Sequence, residues 1–150
     1  MKTEANGDIQ ISYHRVGFES KAGHRVRSAM EAVVCEWLMV HGIAHRHGTE
    51  VFTVRIGAAG VPTAYVPDII CHDKDSSGKT VIVEVFDAYC PKIGNTRILA
   101  QFRKEMMKDY YLIVIAKTQQ MTKVLKAAYD IMIDYDNLGD LDKELPHPPR

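Results

Sequence analysis

Two acids stand where apolar residues would be easier to bury. In "AYVPDIICHDKDSSGKTVIVEVFDAY", residues 64–89, Asp68 opens one run of Val and Ile, and Glu84 interrupts another beyond a polar turn. Side chains alternate across a strand, so Ile82, Glu84 and Phe86 share one face of the second run, while Val83 and Val85 share the other. If the two runs pair, the carboxylates converge. Two ionised carboxylates drawn out of water repel each other, and a divalent cation offsets that repulsion while keeping both charged. Oxygen-only ligands select a hard ion, Mg²⁺ first, with Mn²⁺ able to substitute.

A third carboxylate, Glu31, has two readings. Ser28-Ala-Met-Glu31 matches a capping box, in which Glu31 satisfies a backbone N–H at a helix start. A helix beginning nearer Ser20 instead sets Glu31 well inside it, beside Val34, Cys35 and Leu38, on a half-buried face. Taken singly, Asp68 also fits a turn-flanking acid and Glu84 a solvent-facing strand residue. Taken together in this order, the three acids are harder to dismiss.

The elements that must position them follow from periodicity. Ala29, Val33, Trp37 and Val40 at three- and four-residue spacing give a helix from about Ser20 to His41, with Gly42 at its left-handed cap position. Two β-rich runs around a Gly and Pro loop predict a hairpin with its tip near Gly57 to Pro62. "KDSSGK" is a turn by composition and "TVIVEVFDAY" a strand. Asn95 or Thr96 caps a second helix to about Asp109, with Ile98, Leu99, Phe102 and Met106 as its buried stripe. "YYLIVIAK" is apolar almost throughout, which suits a central strand covered on both faces and paired in parallel. "TQQMTKVLKAAYDIM" reads as a further helix, and "IMIDYDNL" either extends it or adds a short edge strand. Residues 1–19 read as a short strand or an ordered arm, and about 138–150 as a tail. The order is α/β with a mixed sheet flanked by helices.

A chain of 150 residues fits one domain. Lys plus Arg balances Asp plus Glu at 19 each, so net charge neither demands nor excludes a nucleic-acid partner. The distribution is uneven. His14, Arg15, Lys21, His24, Arg25 and Arg27 stand against the single acid Glu19 between positions 14 and 27, a candidate phosphate-facing edge, whereas residues 130–150 are acidic. No stretch approaches the ~20 apolar residues of a membrane span, and no signal-peptide pattern opens the chain, so a soluble cytoplasmic protein is expected. Cys35, Cys71 and Cys90 sit in apolar runs, as reduced thiols do. His41, His45, His47 and His72, with Cys71 and Cys90, invite a zinc reading. No CxxC or HExxH is present, and His45 and His47, read near a helix end, do not share a helical face, which argues against it.

The order helix Glu31, strand Pro67-Asp68, turn, strand Glu84-Val85-Phe86 resembles the PD-(D/E)XK nuclease superfamily, over roughly residues 20–130. The resemblance implies a restriction-endonuclease-like α-β-β-β-α-β core. The chain, including "MEAVVCEWLMVHGIAHRHGTEVF" and "YVPDIICHDKD", looks most like the small bacterial, cyanobacterial-type, group I intron-encoded homing endonucleases built on that fold. The superfamily's usual lysine, two residues after the glutamate, is here Phe86. Related nucleases often place a glutamine on the following helix, which makes Gln101 the favoured replacement, with Lys92 and Lys104 as charged rivals.

What the resemblance implies is a Mg²⁺-dependent hydrolysis of phosphodiester bonds in double-stranded DNA. Glu31, Asp68, Glu84 and Gln101 are the expected catalytic residues, and Asp68, Glu84 and the Val85 carbonyl the expected metal ligands. Arg55 near the hairpin tip is placed to read a base edge, and His14, Arg15, Arg25 and Arg27 to bind phosphates. Cutting two strands with one site per chain suggests a symmetric oligomer; the resemblance favours a homotetramer, with a dimer as the smaller option, and Trp37, Met39, Met106 and Met107 as interface candidates. Two alternatives stay open: a junction-selective nuclease, and a catalytically degenerate DNA-binding protein of the same fold.

Overall fold

The computed structural model describes residues 18–21, 23–87 and 96–146. Ser28 and Gly42 set the limits of its first helix. Ser28 Oγ accepts the Glu31 N–H at 3.1 Å, so α1 spans Ala29–Val40 and does not begin near Ser20. Upstream, β1 (Phe18–Glu19) pairs antiparallel with β2 (Arg25–Val26). The turn between them holds Gly23 at φ +84, a backbone state that a continuing helix excludes. At the other end Gly42 adopts φ +74. Its N–H bonds the Met39 carbonyl at 3.1 Å and the Ile43 N–H bonds the Leu38 carbonyl at 2.8 Å, the paired bonds of a Schellman cap.

Next in chain order come β3 (His45–His47), β4 (Phe52–Ile56), β5 (Val61–Tyr65), β6 (Ile69–Lys74), β7 (Thr80–Phe86), α2 (Thr96–Met106), β8 (Tyr110–Ala116) and β9 (Ile131–Asp134). Five of the strands form one mixed sheet in the order β3-β6-β7-β8-β9. The β3–β6 and β6–β7 pairs are antiparallel, while β7–β8 and β8–β9 are parallel. The order α-β-β-β-α-β is present as α1, β3, β6, β7, α2 and β8, but with a different first strand from the one expected: the sequence reading draws the first two strands from the hairpin, whereas the sheet takes β3, a segment read as lying near a helix end. The hairpin β4–β5 is a separate two-stranded sheet inserted between β3 and β6, and it turns through Gly57 and Gly60 as predicted.

The expected turn between β6 and β7 is built on Asp75, whose Oδ1 accepts from the Ser77 N–H (2.9 Å), the Ser77 hydroxyl (2.7 Å) and the Lys79 N–H (2.9 Å). Both faces of the sheet are covered. Val81, Val83, Val85, Ile113 and Ile115 pack with Val34 and Leu38 of α1. Ile82, Phe86, Leu112 and Val114 pack with Leu99 and Phe102 of α2 and with Val54 and Tyr65 of the hairpin. That double burial is why "YYLIVIA" is apolar at every position.

One expected helix is missing. The segment after β8 makes a single turn, α3 (Thr118–Met121), and a 3₁₀ turn (Lys126–Ala128). Between them Leu125 is extended and gives its N–H to Thr96 Oγ1 at 3.3 Å, while Val124 and Ala128 sink into the α2-side core. Anchorage to α2 thus outcompetes a continuous helix. "IMID" takes the edge-strand option, and the following 3₁₀ segment, Tyr135–Leu141, buries Leu141 on the α1 side, so part of the expected tail is core. No described helix is long and apolar enough to cross a membrane.

Candidate functional site

Register brings the two strand acids together. Ile69 pairs with Val83 and Ile70 with Ile82, and the same register continued by one residue sets Asp68 opposite Glu84. Both carboxylates are fully buried, at 0% exposure. Burial on that scale demands partners. Asp68 Oδ2 accepts the Val85 N–H at 3.0 Å, and its Oδ1 takes a hydrogen bond and ion pair from Arg27. Glu84 Oε2 accepts the Asp68 N–H at 3.2 Å and the Tyr65 hydroxyl. Burial, reinforced by the Glu84 charge, pushes the Tyr65 phenol far above its ordinary range, so it remains a hydrogen donor to that carboxylate.

Tyr65 was not anticipated from sequence, and Arg27 was assigned to phosphates. Arg27 keeps 14% of its side chain exposed over an Asp68 that has none, so it stands between this acid and solvent. It also ties in Glu31, whose Oε1 accepts the Arg27 N–H at 3.2 Å. The reciprocal half of the capping box is thus displaced by one residue: Ser28 bonds Glu31, and Glu31 bonds Arg27. The other carboxylate oxygen, Oε2, lies 2.7 Å from His47 Nδ1.

The remaining expected residues are less concentrated. Phe86 lies on the Glu84 face of β7 and is packed into the α2-side core, so no side chain at that position faces solvent. The Gln101 amide donates to Glu105 one turn along α2, at 2.7 Å, and to neither acid. Glu105 also accepts the Arg55 N–H at 3.4 Å, which places Gln101 and the tip end of the hairpin around one carboxylate. The Arg55 guanidinium folds back onto the Gly60 carbonyl at 3.3 Å, and Arg25 is exposed. Arg97, Gln101, Arg103 and Lys104 line a shallow groove along α2, where Arg103 is held by Asp130 at 2.8 Å. His14, Arg15 and Lys92 lie outside the described residues.

A second cluster adjoins the first through Glu31. His24 precedes β2, Cys35 lies on α1, and His45 and His47 lie on β3. Cys35 Sγ is 3.4 Å from His24 Nδ1, 3.2 Å from His45 Nε2 and 3.3 Å from His47 Nε2. Sequence reasoning set His45 and His47 near a helix end, where two-residue spacing separates them. On a strand the same spacing puts both on one face, so the ground for setting zinc aside does not hold. His24 and Cys35 were missed as partners because ribbon, helix and strand meet only in three dimensions; the H-x-H pattern read with period two was the available clue. Burial pushes the His45 imidazole down to about 4 and lowers that of His24, while burial raises the Cys35 thiol. Cys35 and Cys71 are free and buried, as expected of reduced thiols.

Compared with protein-family models, curated proteins and solved structures, the chain shows no match.

Proposed function

We propose that this chain is a Mg²⁺-dependent endonuclease of double-stranded DNA, of the site-specific homing type that its sequence resembles. The observation that carries the reading is the convergence of Asp68, immediately before β6, with Glu84 on the adjoining β7, both fully buried and joined by the Asp68 N–H to Glu84 bond, in an α-β-β-β-α-β core. With those bonds in place each acid can stay ionised, and together they offer the oxygen ligands that a hard divalent ion requires. The chemistry that Mg²⁺ would supply there is activation of a water for attack and neutralisation of charge at the scissile phosphate.

Among this chain's own residues, Asp68 and Glu84 would hold the ion, and Tyr65 fixes the orientation of Glu84. Arg27 moves from Asp68 to a phosphate oxygen as DNA binds, supplying the positive charge that Phe86 cannot. Gln101 and the cations along α2 contact the backbone, and the β4–β5 hairpin with Arg55 enters a groove. Double-strand cleavage calls for an even-numbered assembly, and the compartment implied is the cytoplasm.

The test is cleavage of the chain's own intronless host locus by purified protein with Mg²⁺. The wild type is expected to cut at one site, and Asp68→Asn or Glu84→Gln to slow cutting by roughly 10³-fold, the several kcal/mol such a metal supplies. An uncut locus, with Asp68→Asn indistinguishable from wild type, rejects the reading. Cleavage of four-way junctions irrespective of sequence transfers the site to the junction-selective alternative.

A further inference from the structure

The geometry points to a second metal site, a closed tetrahedral Zn²⁺ site formed by His24, Cys35, His45 and His47, separate from the acid pair and selective for a softer ion. The four ligand atoms all lie within 4.8 Å of one another. The three sulfur-to-nitrogen distances, 3.2–3.4 Å, approach the tetrahedral edge. A zinc ion with Zn–N of ~2.0–2.1 Å and Zn–S of ~2.3 Å holds sulfur and nitrogen ligands roughly 3.5 Å apart. The imidazoles are arranged almost as a three-bladed propeller about the sulfur: their centroids are 4.9–5.1 Å apart and their planes meet at 70–75°.

The hydrogen bonds on the outer side of the rings fix what faces inward. His45 Nδ1 lies 2.8 Å from the Ile43 carbonyl, which only accepts, so that nitrogen carries the hydrogen and Nε2 turns a lone pair to the centre. His47 Nδ1 is bound in the same way by the Glu31 carboxylate, again directing an Nε2 lone pair inward. This carboxylate–histidine arrangement is the usual outer-shell support of a metal-bound imidazole. Cys35 has one S–H hydrogen, and Ser20 Oγ stands ready to accept it at 3.3 Å. That leaves converging ring nitrogens around one sulfur with too few hydrogens to bond them all. A cation at the centre satisfies all four ligands at once.

Three imidazoles and one thiolate select zinc-like ions over the oxygen-seeking Mg²⁺ and Ca²⁺. Four protein ligands leave no open position, which marks the site as structural. It joins the β1–β2 ribbon, α1 and the edge strand β3, with Cys35 and His45 buried at the junction. Glu31 becomes a positioning residue for His47, and through the Arg27 N–H it relates this site to the acid pair.

The test uses the full chain, stripped with a chelator and titrated with Co²⁺. One equivalent is expected to bind with a sulfur-to-cobalt charge-transfer band and the intense visible bands of four-coordinate cobalt. One equivalent of Zn²⁺ displaces it, and a large excess of Mg²⁺ does not. Stripping is expected to lower the Tm by roughly 10 °C or more, with recovery on adding Zn²⁺. Cys35→Ser abolishes the charge-transfer band, Glu31→Gln weakens Co²⁺ binding about 10-fold or more, and Asp68→Asn leaves the cobalt spectrum unchanged. The wild-type titration decides the matter even if a ligand variant fails to fold. A stripped wild-type chain that takes up less than half an equivalent of Co²⁺, or binds it without the thiolate band, overturns the assignment.

Discussion

Arg27 links the buried acid pair to the histidine–cysteine cluster. Its guanidinium pairs with buried Asp68, and its N–H bonds Glu31, the carboxylate that holds His47. Removing one partner of a largely desolvated pair leaves the other charge without compensation. Arg27→Met is therefore expected to cost about 3 kcal/mol in urea unfolding, a value near the low end for buried pairs because Arg27 retains some solvent contact. It is also expected to slow DNA cleavage at least about 100-fold at a temperature where the variant stays folded, while Gln101→Ala changes the rate only a few-fold. The opposite ranking returns the lysine's role to Gln101.

At the scale of elements, the β6–β7 turn has a built-in pH dependence. Partial burial would raise the Asp75 carboxyl, but hydrogen bonds from Ser77 and Lys79, with the Lys79 charge, more than offset it and bring it below 3.8. A carboxyl depressed on folding contributes stability that is present above its unfolded value and lost as pH falls through the folded one. Wild-type protein should accordingly lose unfolding free energy as pH drops below 3.8, and Asp75→Ala should lose less over the same window, as read from urea melts at pH 5 and pH 3. The turn itself was legible from "KDSSGK" because Asp, Ser and Gly carry their own local hydrogen bonds and dihedral preferences. The stretch after β8 was not, since a Thr96 hydroxyl distant in sequence captures the Leu125 N–H and interrupts an otherwise helical pattern.

For the molecule as a whole, β8 lies between the two cores. Ile113 has no exposed surface and packs on the α1 side against residues of several elements, so Ile113→Ala should destabilise the fold by about 3–4 kcal/mol, measured by denaturant titration. The proposed two-strand cleavage carries a prediction at the same scale: light scattering should return a dimer or tetramer, and not a monomer of 16.9 kDa. A monomer that nevertheless cuts both strands in one binding event removes the need for symmetry.

The amino-acid sequence by itself determined the elements whose signals are local. Gly42 closes α1, Gly57 and Gly60 turn the hairpin, and the unbroken apolar run of β8 marks a strand covered on both faces. It also marked Asp68 and Glu84 as acids out of place, since strand alternation can be read along a single segment. Tertiary structure alone decided what those acids touch. Tyr65 and Arg27 reach them from a hairpin and a ribbon that sequence separation hides, and the start of α1 moved because Ser28 captured the Glu31 N–H. The histidine–cysteine cluster shows the same division most clearly. Its four members come from a ribbon, a helix and an edge strand, so no spacing along the chain encodes them. Only the meeting of the ribbon, α1 and β3 in three dimensions brings three imidazole rings to one sulfur.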